Sequence, residues 1–425
     1  MQTEDLYKIY LQHPSIQTDS RKVKQGDLFF ALKGANFNGN FFALQAVKDG
    51  AAYAITDEYK GEANNRIIHV NDVLTTLQQL ALHHRKQFTI PFIAITGSNG
   101  KTTTKELVHA VLSSSYTAYT TTGNLNNHIG IPLTILKVKT DAEIAVIEMG
   151  ANHQKEIEGY CRYTMPTHGI ITNCGKAHLE GFGGIEGVRK GKGELFDYLR
   201  SNNGTAFVMW DYEYLQSMSN GIKEIITYGT HDAGITGKVK SSSGMLAVDI
   251  TKGAAINSIQ TQLVGEYNLP NVLVAVAIGK YFKVPDEKIK NAIENYAPSN
   301  SRSQLLEKGS NKIILDAYNA NPTSMKAAIE NFAHMEGSNK ILMLGSMLEL
   351  GNESIAEHKS VIDVIQQYKW KAVVLVGNEY IAAGSPFINL ESSSAAQEWY
   401  KSQNLTDSFI LIKGSRSIQM EKVLE

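Results

Sequence analysis

Cysteine is scarce. Cys161 and Cys174 are the only two in 425 residues, too few for a disulfide scaffold. Long apolar runs are missing, and no stretch reaches the roughly 18 uninterrupted apolar residues of a membrane helix. Excess charge of either sign is missing too: 41 Lys and Arg stand against 42 Asp and Glu, a net charge of −1. That balance argues against a general electrostatic nucleic-acid binder. The opening residues, Met1-Gln-Thr-Glu-Asp5, are acidic and polar and lack the basic-then-apolar pattern of a signal peptide. No internal repeat or low-complexity tract stands out. The expectation is a soluble, cytoplasmic protein with no membrane span and no nucleic-acid partner. What is present is ordinary globular usage, 43% apolar and 20% charged, in a chain long enough for about three domains of roughly 150 residues each.

Three segments separate on pattern. In the first, residues 1–88, short apolar runs at Asp27–Leu32, Ala51–Ile55 and Ile67–Val70 read as strands, and Val73–Lys86 reads as a helix. This predicts a small mixed α/β domain. In the second, residues 89–298, strands are expected at Pro91–Thr96, Glu143–Glu148 and His168–Thr172, with helices at Thr102–Ser113 and Gly193–Arg200. Such alternation indicates a largely parallel, doubly wound sheet. Ile235–Val264 turns polar and β-compatible, which predicts an antiparallel addition, and Leu269–Phe282 reads as a buried helix. The third segment, residues 299–425, opens near Pro298-Ser-Asn-Ser301. It carries apolar strands at Lys312–Asp316, Lys340–Leu344, Ala372–Val376 and Phe409–Ile412, a second doubly wound α/β domain.

Chemistry concentrates first in Thr96-Gly-Ser-Asn-Gly-Lys-Thr-Thr103, between a strand and a helix. Glycines let backbone N–H groups of Gly97, Ser98, Asn99 and Gly100 turn toward an anion, and the helix N-terminus adds positive potential. Lys101 can reach phosphate oxygens, Thr102 can ligate Mg²⁺, and Thr103 follows in the first turn. Only two residues separate Gly97 from Gly100, where the general phosphate-loop pattern has four. Glu148 ends an apolar strand, the edge where doubly wound sheets bind ligands, and its hard oxygens suit Mg²⁺. Arg302, just past the second boundary, is suited to bidentate phosphate contact. Asp316 ends a strand where a carboxylate can accept a ribose hydroxyl, with Asn319 and Asn321 beside it. Asn321-Pro322 also reads as a simple helix cap.

The stretch Ile95–Glu106 resembles the ATP loop of the Mur ligases, ATP-dependent enzymes that form amide bonds in peptidoglycan precursors. Folylpolyglutamate synthases are related to them. Further matches are Gly123-Asn-Leu-Asn-Asn-His-Ile-Gly-Ile-Pro132, Glu148-Met-Gly-Ala151 and Asn173-Cys-Gly-Lys-Ala-His-Leu-Glu-Gly-Phe182. Asp316–Pro322, Leu344–Gly351 and Lys413–Ser417 resemble most the members that join D-alanyl-D-alanine to UDP-N-acetylmuramoyl-tripeptide through an acyl phosphate. The alternatives are another Mur ligase, a folylpolyglutamate synthase-like amide ligase, or a non-catalytic nucleotide-binding relative.

The resemblance implies a UDP-substrate domain, a central ATPase and a C-terminal amino-substrate domain, acting as a monomer. It implies two Mg²⁺ ions, one held by Thr102 and Glu148 and a second by His178. Lys192 aligns with a lysine that is often carbamoylated, with Lys190 as the competing position. Lys101, Glu148, His178, Lys192 and Arg302 form the implied catalytic set. Asn268 and Asn271 are implied adenine or hinge contacts; the family usually reads His-Asn where this chain has Tyr267-Asn268. Asp316, Asn319 and Asn321 are implied ATP contacts donated across domains. Ser20, Arg21 and Lys33 resemble UDP-recognition elements, and Asn124, Asn126 and Asn127 resemble residues near the sugar-peptide. Lys413, Ser415 and Arg416 are implied to lie near the incoming dipeptide. Whether the tripeptide carries diaminopimelate or lysine is open at this point.

Overall fold

The apolar runs do form strands, and their order sets where loops can gather ligands. The computed structural model describes residues 1–61, 64–299 and 301–425. Asn300, in the expected boundary segment, lies outside the described residues. The chain divides into two units, residues 1–94, 116–150 and 156–168, and residues 95–115, 151–155 and 169–425.

In the first unit, four short strands, Ile16–Gln17, Leu28–Phe30, Tyr53–Thr56 and Ile67–His69, pair in that order, all parallel. Phe29, Ala31, Ala43, Ala46, Val47, Ala51 and Ala54 close a small core over them. Small residues dominate because the helix Ala43–Lys48 lies tight on the sheet. The helix Val73–Arg85 begins at Asp72, whose side chain accepts from the Thr75 N–H, a standard N-cap. At its far end Arg85 is buried. Its guanidinium donates to the carbonyls of Thr164, Met165 and Phe88 and stacks on Phe92. The strands Ala118–Thr120 and Ile144–Glu148 pair parallel.

In the second unit, Thr205–Met209 and Glu224–Gly229 pair parallel, and Ile235–Ser241, Met245–Lys252 and Ser258–Val264 continue as an antiparallel ladder. The expected antiparallel addition is therefore present. The helix Leu269–Tyr281 is buried along nearly its whole length and packs on the helix Lys101–Ser113. Its apolar residues run round the whole helix rather than along one stripe, as burial on all sides requires.

The C-terminal strands form a six-stranded sheet in the order Gln304–Lys308, Asn311–Asp316, Phe409–Lys413, Lys340–Gly345, Ala372–Val376, Ile388–Leu390. All neighbours are parallel except the first pair, an antiparallel hairpin at the edge. The expected α/β class thus holds. Among the described residues no helix is long and apolar enough to cross a membrane.

One expectation fell short. The helix expected over Gly193–Arg200 in fact spans Ile185–Ser201. Gly187, Gly191 and Gly193 lower its intrinsic propensity, which hides its first turns. The glycines serve packing. A Cβ on Gly187 would sit 1.8 Å from the Phe182 carbonyl oxygen, and one on Gly191 would sit 2.5 Å from the Phe182 ring. The helix can lie this close to the turn Leu179–Phe182 only without those side chains.

Candidate nucleotide and carboxylate site

The phosphate loop is built from the strand end at Thr96 and the helix start at Lys101. Gly97 sits at φ 142°, and a Cβ there would fall 1.9 Å from Thr172 Oγ1. Gly100 sits at φ 78°, and its Cβ would fall 2.7 Å from Asn271 Oδ1. Both positions are left-handed backbone that favours glycine. The segment Thr172–Gly175 scaffolds the loop. Ser98 N–H donates to Asn173 O (2.9 Å), Asn99 N–H to Asn173 Oδ1 (3.1 Å) and Ser98 Oγ to Gly175 O (2.8 Å). Thr172 Oγ1 donates to Asn99 O (2.6 Å). Lys101 Nζ donates to the carbonyls of Gly97 (2.7 Å) and Ser98 (3.1 Å), so its ammonium is curled over the loop. Thr102 is buried at the start of the helix, and Thr103 is half-buried.

Asn268 and Asn271 belong to an internal relay. Thr104 Oγ1 donates to Asn271 Oδ1 (3.0 Å), Asn271 Nδ2 to Asn268 Oδ1 (2.8 Å), and Asn268 Nδ2 to Val264 O (2.8 Å). The two asparagines thereby hold the first turn behind the phosphate loop. Nothing in sequence spacing marked Thr104. The Tyr267 hydroxyl meets Ser303 Oγ at 3.2 Å. Burial, with Asp316 adding repulsion, pushes its pKa above the usual tyrosine range.

The C-terminal contributions converge on the strand ends at Asp316 and Lys413, which are paired in register. Lys413 is 3% exposed and donates from Nζ to Asp316 Oδ2 (2.6 Å) and Asn319 O (3.2 Å), while Ser303 N–H donates to Asp316 Oδ1 (3.1 Å). Asn319 Oδ1 accepts from the Ala320 N–H. Asn321 does two jobs. It caps the helix Pro322–His334 through a reciprocal box with Ser324, and its Nδ2 donates to Asn99 Oδ1 of the phosphate loop (2.7 Å). Ser415 Oγ accepts from Leu348 N–H (3.1 Å). Arg302 lies over the Tyr318 ring at 3.5 Å. Its five N–H donors have no hydrogen bond or ion pair among the described residues. Arg416 lies 5.9 Å from the same ring and pairs with Glu421 (2.8 Å). Tyr318, an aromatic inside an Asn-rich run, is a residue that sequence reasoning passed over.

His178 opens the turn Leu179–Phe182 in left-handed backbone at φ 53°. Its Nδ1 contacts Glu349 Oε2 closely, and the imidazole holds the Glu349 carboxyl below its ordinary pKa. Lys192 is 1% exposed inside the helix Ile185–Ser201, where Nζ donates to Ala151 O (2.9 Å) and sits 4.9 Å from the Phe182 ring. Lys190 is exposed. The bland reading of this stretch as a solvated basic helix start therefore holds for Lys190 and not for Lys192.

In the first unit, Glu148 is 1% exposed. Its Oε1 accepts from Asn126 Nδ2 (2.7 Å) and its N–H donates to Thr121 Oγ1 (3.0 Å), yet among the described residues Oε2 has no hydrogen-bond partner. A buried carboxylate oxygen left unpaired costs free energy, and a divalent cation is the chemistry that would satisfy it. His178 Nε2 likewise has no partner among the described residues. Each atom taken by itself, a hard carboxylate oxygen and an imidazole lone pair, is chemistry that can ligate a divalent cation. No group of three His, Cys, Asp or Glu side chains gathers among the described residues.

The remaining asparagines diverge in role. Asn127 Oδ1 accepts from the Ile129 and Gly130 N–H groups and starts the helix Gly130–Ile135. Asn124 O accepts from the Asn126 N–H (2.8 Å). The expected UDP cations have local partners. Arg21 grips Asp19 with two bonds of 2.8 Å and holds it down at about 2, and Lys33 pairs with Glu58 (2.7 Å). Ser20 begins the 3-10 turn that Asp19 caps.

A glycine-bearing loop between a buried strand and a helix N-terminus, with a lysine curled over it, is the arrangement of a nucleotide-binding α/β protein. Three family models match the chain: the Mur ligase middle domain over residues 95–279, the Mur ligase glutamate ligase domain over 301–416, and the Mur ligase family catalytic domain over 14–85. The chain belongs to the Mur ligase family. It is 35% identical to the UDP-N-acetylmuramoyl-tripeptide–D-alanyl-D-alanine ligase of Bacillus subtilis, over 96% of this chain and 92% of that one. Among solved structures, MurF from Acinetobacter baumannii aligns with a TM-score of 0.88 and 30% identity, covering 96% of this chain and 92% of that one. MurF ligase from Thermotoga maritima, in complex with ADP, aligns with a TM-score of 0.87 and 26% identity, covering 97% of each.

Proposed function

We propose that this protein joins D-alanyl-D-alanine to the terminal carboxylate of UDP-N-acetylmuramoyl-tripeptide, cleaving ATP to ADP and phosphate, in cytoplasmic peptidoglycan precursor synthesis. The observation that carries the reading is the phosphate loop, with Lys101 held over its carbonyls and Asn321 of the C-terminal domain bonded to Asn99. The likeness to ligases of that name supports the choice of substrates. Residues 1–88 would hold the UDP end through Ser20, Arg21 and Lys33, residues 89–298 ATP, and residues 299–425 the dipeptide.

A carboxylate resists attack by an amine because its leaving group would be oxide. Transfer of the ATP γ-phosphoryl group to the carboxylate gives an acyl phosphate and ADP. The dipeptide amine then attacks the carbonyl, and the tetrahedral intermediate expels phosphate. The protein's part is positioning and charge stabilisation. The N–H groups of Gly97 and Gly100 and the helix N-terminus receive the phosphates, those of Ser98 and Asn99 being engaged by Asn173 instead of turned to an anion. The Lys101 ammonium exchanges loop carbonyls for phosphate oxygens. Arg302, flat on Tyr318 with its donors unpaired, neutralises charge developing on the transferred group. Asn268 and Asn271 serve the nucleotide from behind, by holding Gly100 and Thr104. Asp316, Asn319 and Asn321 face the nucleotide from the C-terminal sheet, and Lys413 and Ser415 fix that edge for the dipeptide. Asn126 orients Glu148, with Asn124 and Asn127 shaping the same loop.

Thr102 and Glu148 would hold one Mg²⁺ and His178 a second; when bound, these ions would neutralise phosphate charge in the transition state. Lys192 would become carbamoylated, turning a buried cation into an anion on that side of the metal site.

Phosphate release is the test, with ATP, Mg²⁺ and UDP-N-acetylmuramoyl-tripeptide, with and without D-alanyl-D-alanine, and with mass spectrometry of the product. Dipeptide-dependent release with a pentapeptide product is expected. Supplying tripeptides ending in diaminopimelate and in lysine identifies the third residue. Release that ignores the dipeptide, or ADP formation with no pentapeptide, would overturn the assignment.

A further inference from the structure

The segment Gly175–Glu180 of the middle domain is gripped from the C-terminal domain at several points. Lys176 N–H donates to Thr323 Oγ1 (3.1 Å) and Lys176 Nζ pairs with the buried Glu357. Glu180 N–H approaches Glu349 O (3.4 Å), and a Cβ on Gly351 would meet Glu180 Cβ at 3.2 Å. At the centre of this grip His178 Nδ1 contacts Glu349 Oε2. Both partners are non-glycine residues in left-handed backbone, His178 at φ 53° and Glu349 at φ 61°. Side chains held in that region persist only where the surroundings enforce it. Two such residues from two domains meet each other here.

We propose that Glu349 is a positioning residue for His178: it fixes the imidazole's orientation and tautomer from the neighbouring domain. A carboxylate accepts only, so Nδ1 carries the proton and the lone pair is left on Nε2. That nitrogen has no partner among the described residues. A histidine held in this way through one nitrogen presents the other to a cation, and such supporting carboxylates typically contribute about 10–100-fold in metal affinity. The inference rests on the proposed role of His178 as a Mg²⁺ ligand and adds a condition to it. That condition is the Glu349 carboxylate itself, carried at the end of the loop Leu344–Gly351, rather than the domain contact as a whole.

The test is Mn²⁺ titration of the full chain with a non-hydrolysable ATP analogue, free Mn²⁺ being read by electron paramagnetic resonance. His178→Ala is expected to lose one Mn²⁺ site. Glu349→Ala is expected to weaken that same site by about 10–100-fold, and Glu349→Gln, whose carbonyl still accepts from Nδ1, to restore most of it. Lys176→Met removes the other ionic grip and is expected to leave Mn²⁺ binding unchanged. If His178→Ala loses a site and Glu349→Ala does not weaken it, the positioning role is wrong while the metal reading stands. Equal losses in Lys176→Met and Glu349→Ala would also overturn it, because docking alone would then explain the effect. If His178→Ala retains every site, the metal reading of His178 fails first. Thermal melts of each variant identify any that fail to fold, and Glu349→Gln then carries the comparison.

Discussion

Lys101 spends its ammonium on the carbonyls of Gly97 and Ser98, an arrangement that places charge inside the loop before any phosphate arrives. Lys101→Ala is expected to lower kcat/KM in the phosphate-release assay by at least about 100-fold, the scale on which removal of one transition-state donor acts. Near-normal turnover would contradict the role. Residues at this scale were legible where local chemistry is concentrated. Gly97, Gly100, Lys101 and Glu148 announce themselves by type and by position at strand ends. Thr104, Tyr318 and Glu349 do not. Each acts by holding another residue, Asn271, Arg302 or His178, and two of those three pairs bridge more than one hundred residues. The sequence marks the held residue and is silent about its holder. Asn321 shows the opposite case, since the capping reading holds and the same side chain also bonds to Asn99 of the phosphate loop.

Elements were legible where their pattern was strong. The buried strands from Phe92 to Phe409 lie within a residue or two of their apolar runs, because continuous apolar stretches fit strands covered on both faces. The helix Ile185–Ser201 was only half visible, since its glycines suit packing rather than propensity. Gly187→Ala tests that explanation. Alanine favours a helix over glycine by about 1 kcal/mol, so propensity alone would make the variant more stable. The contact of 1.8 Å with the Phe182 carbonyl predicts the opposite sign, a loss of about 1–3 kcal/mol from overpacking, read as a lower urea midpoint. A raised midpoint would mean that the turn carrying His178 can yield without cost.

Across the whole molecule, charge balance left no global signal, yet buried ionisable groups give stability a pH dependence. His84 donates and accepts within the first unit, bonded to Val138 O and the Tyr7 hydroxyl. His358 accepts from Met347 N–H and contacts Ser354 O. Burial lowers the pKa of both. In the unfolded chain these imidazoles titrate near about 6.5, so below that pH the unfolded state binds protons that the folded state refuses. Stability is therefore expected to fall as pH drops from 7.5 to 5.5. A second fall is expected at lower pH, as carboxylates depressed by ion pairs, such as Asp286 beside Lys280, become protonated. Urea unfolding across this range checks the sign; stability that rises between pH 7.5 and 5.5 would contradict it. At this scale the three-part α/β plan was readable from alternating patterns. The contacts between domains were not, because single asparagines and glutamates on loops make them.

In the proposed reaction ATP activates the tripeptide's own carboxylate. Oxygen-18 in that terminal carboxylate tests it most directly. During one turnover with D-alanyl-D-alanine, attack on the γ-phosphoryl group makes a labelled oxygen the bridge of the acyl phosphate. Expulsion by the amine carries that oxygen away. The expected products are inorganic phosphate bearing one labelled oxygen, unlabelled ADP, and a pentapeptide that keeps the other. Unlabelled phosphate, or label appearing in AMP, would contradict that activation.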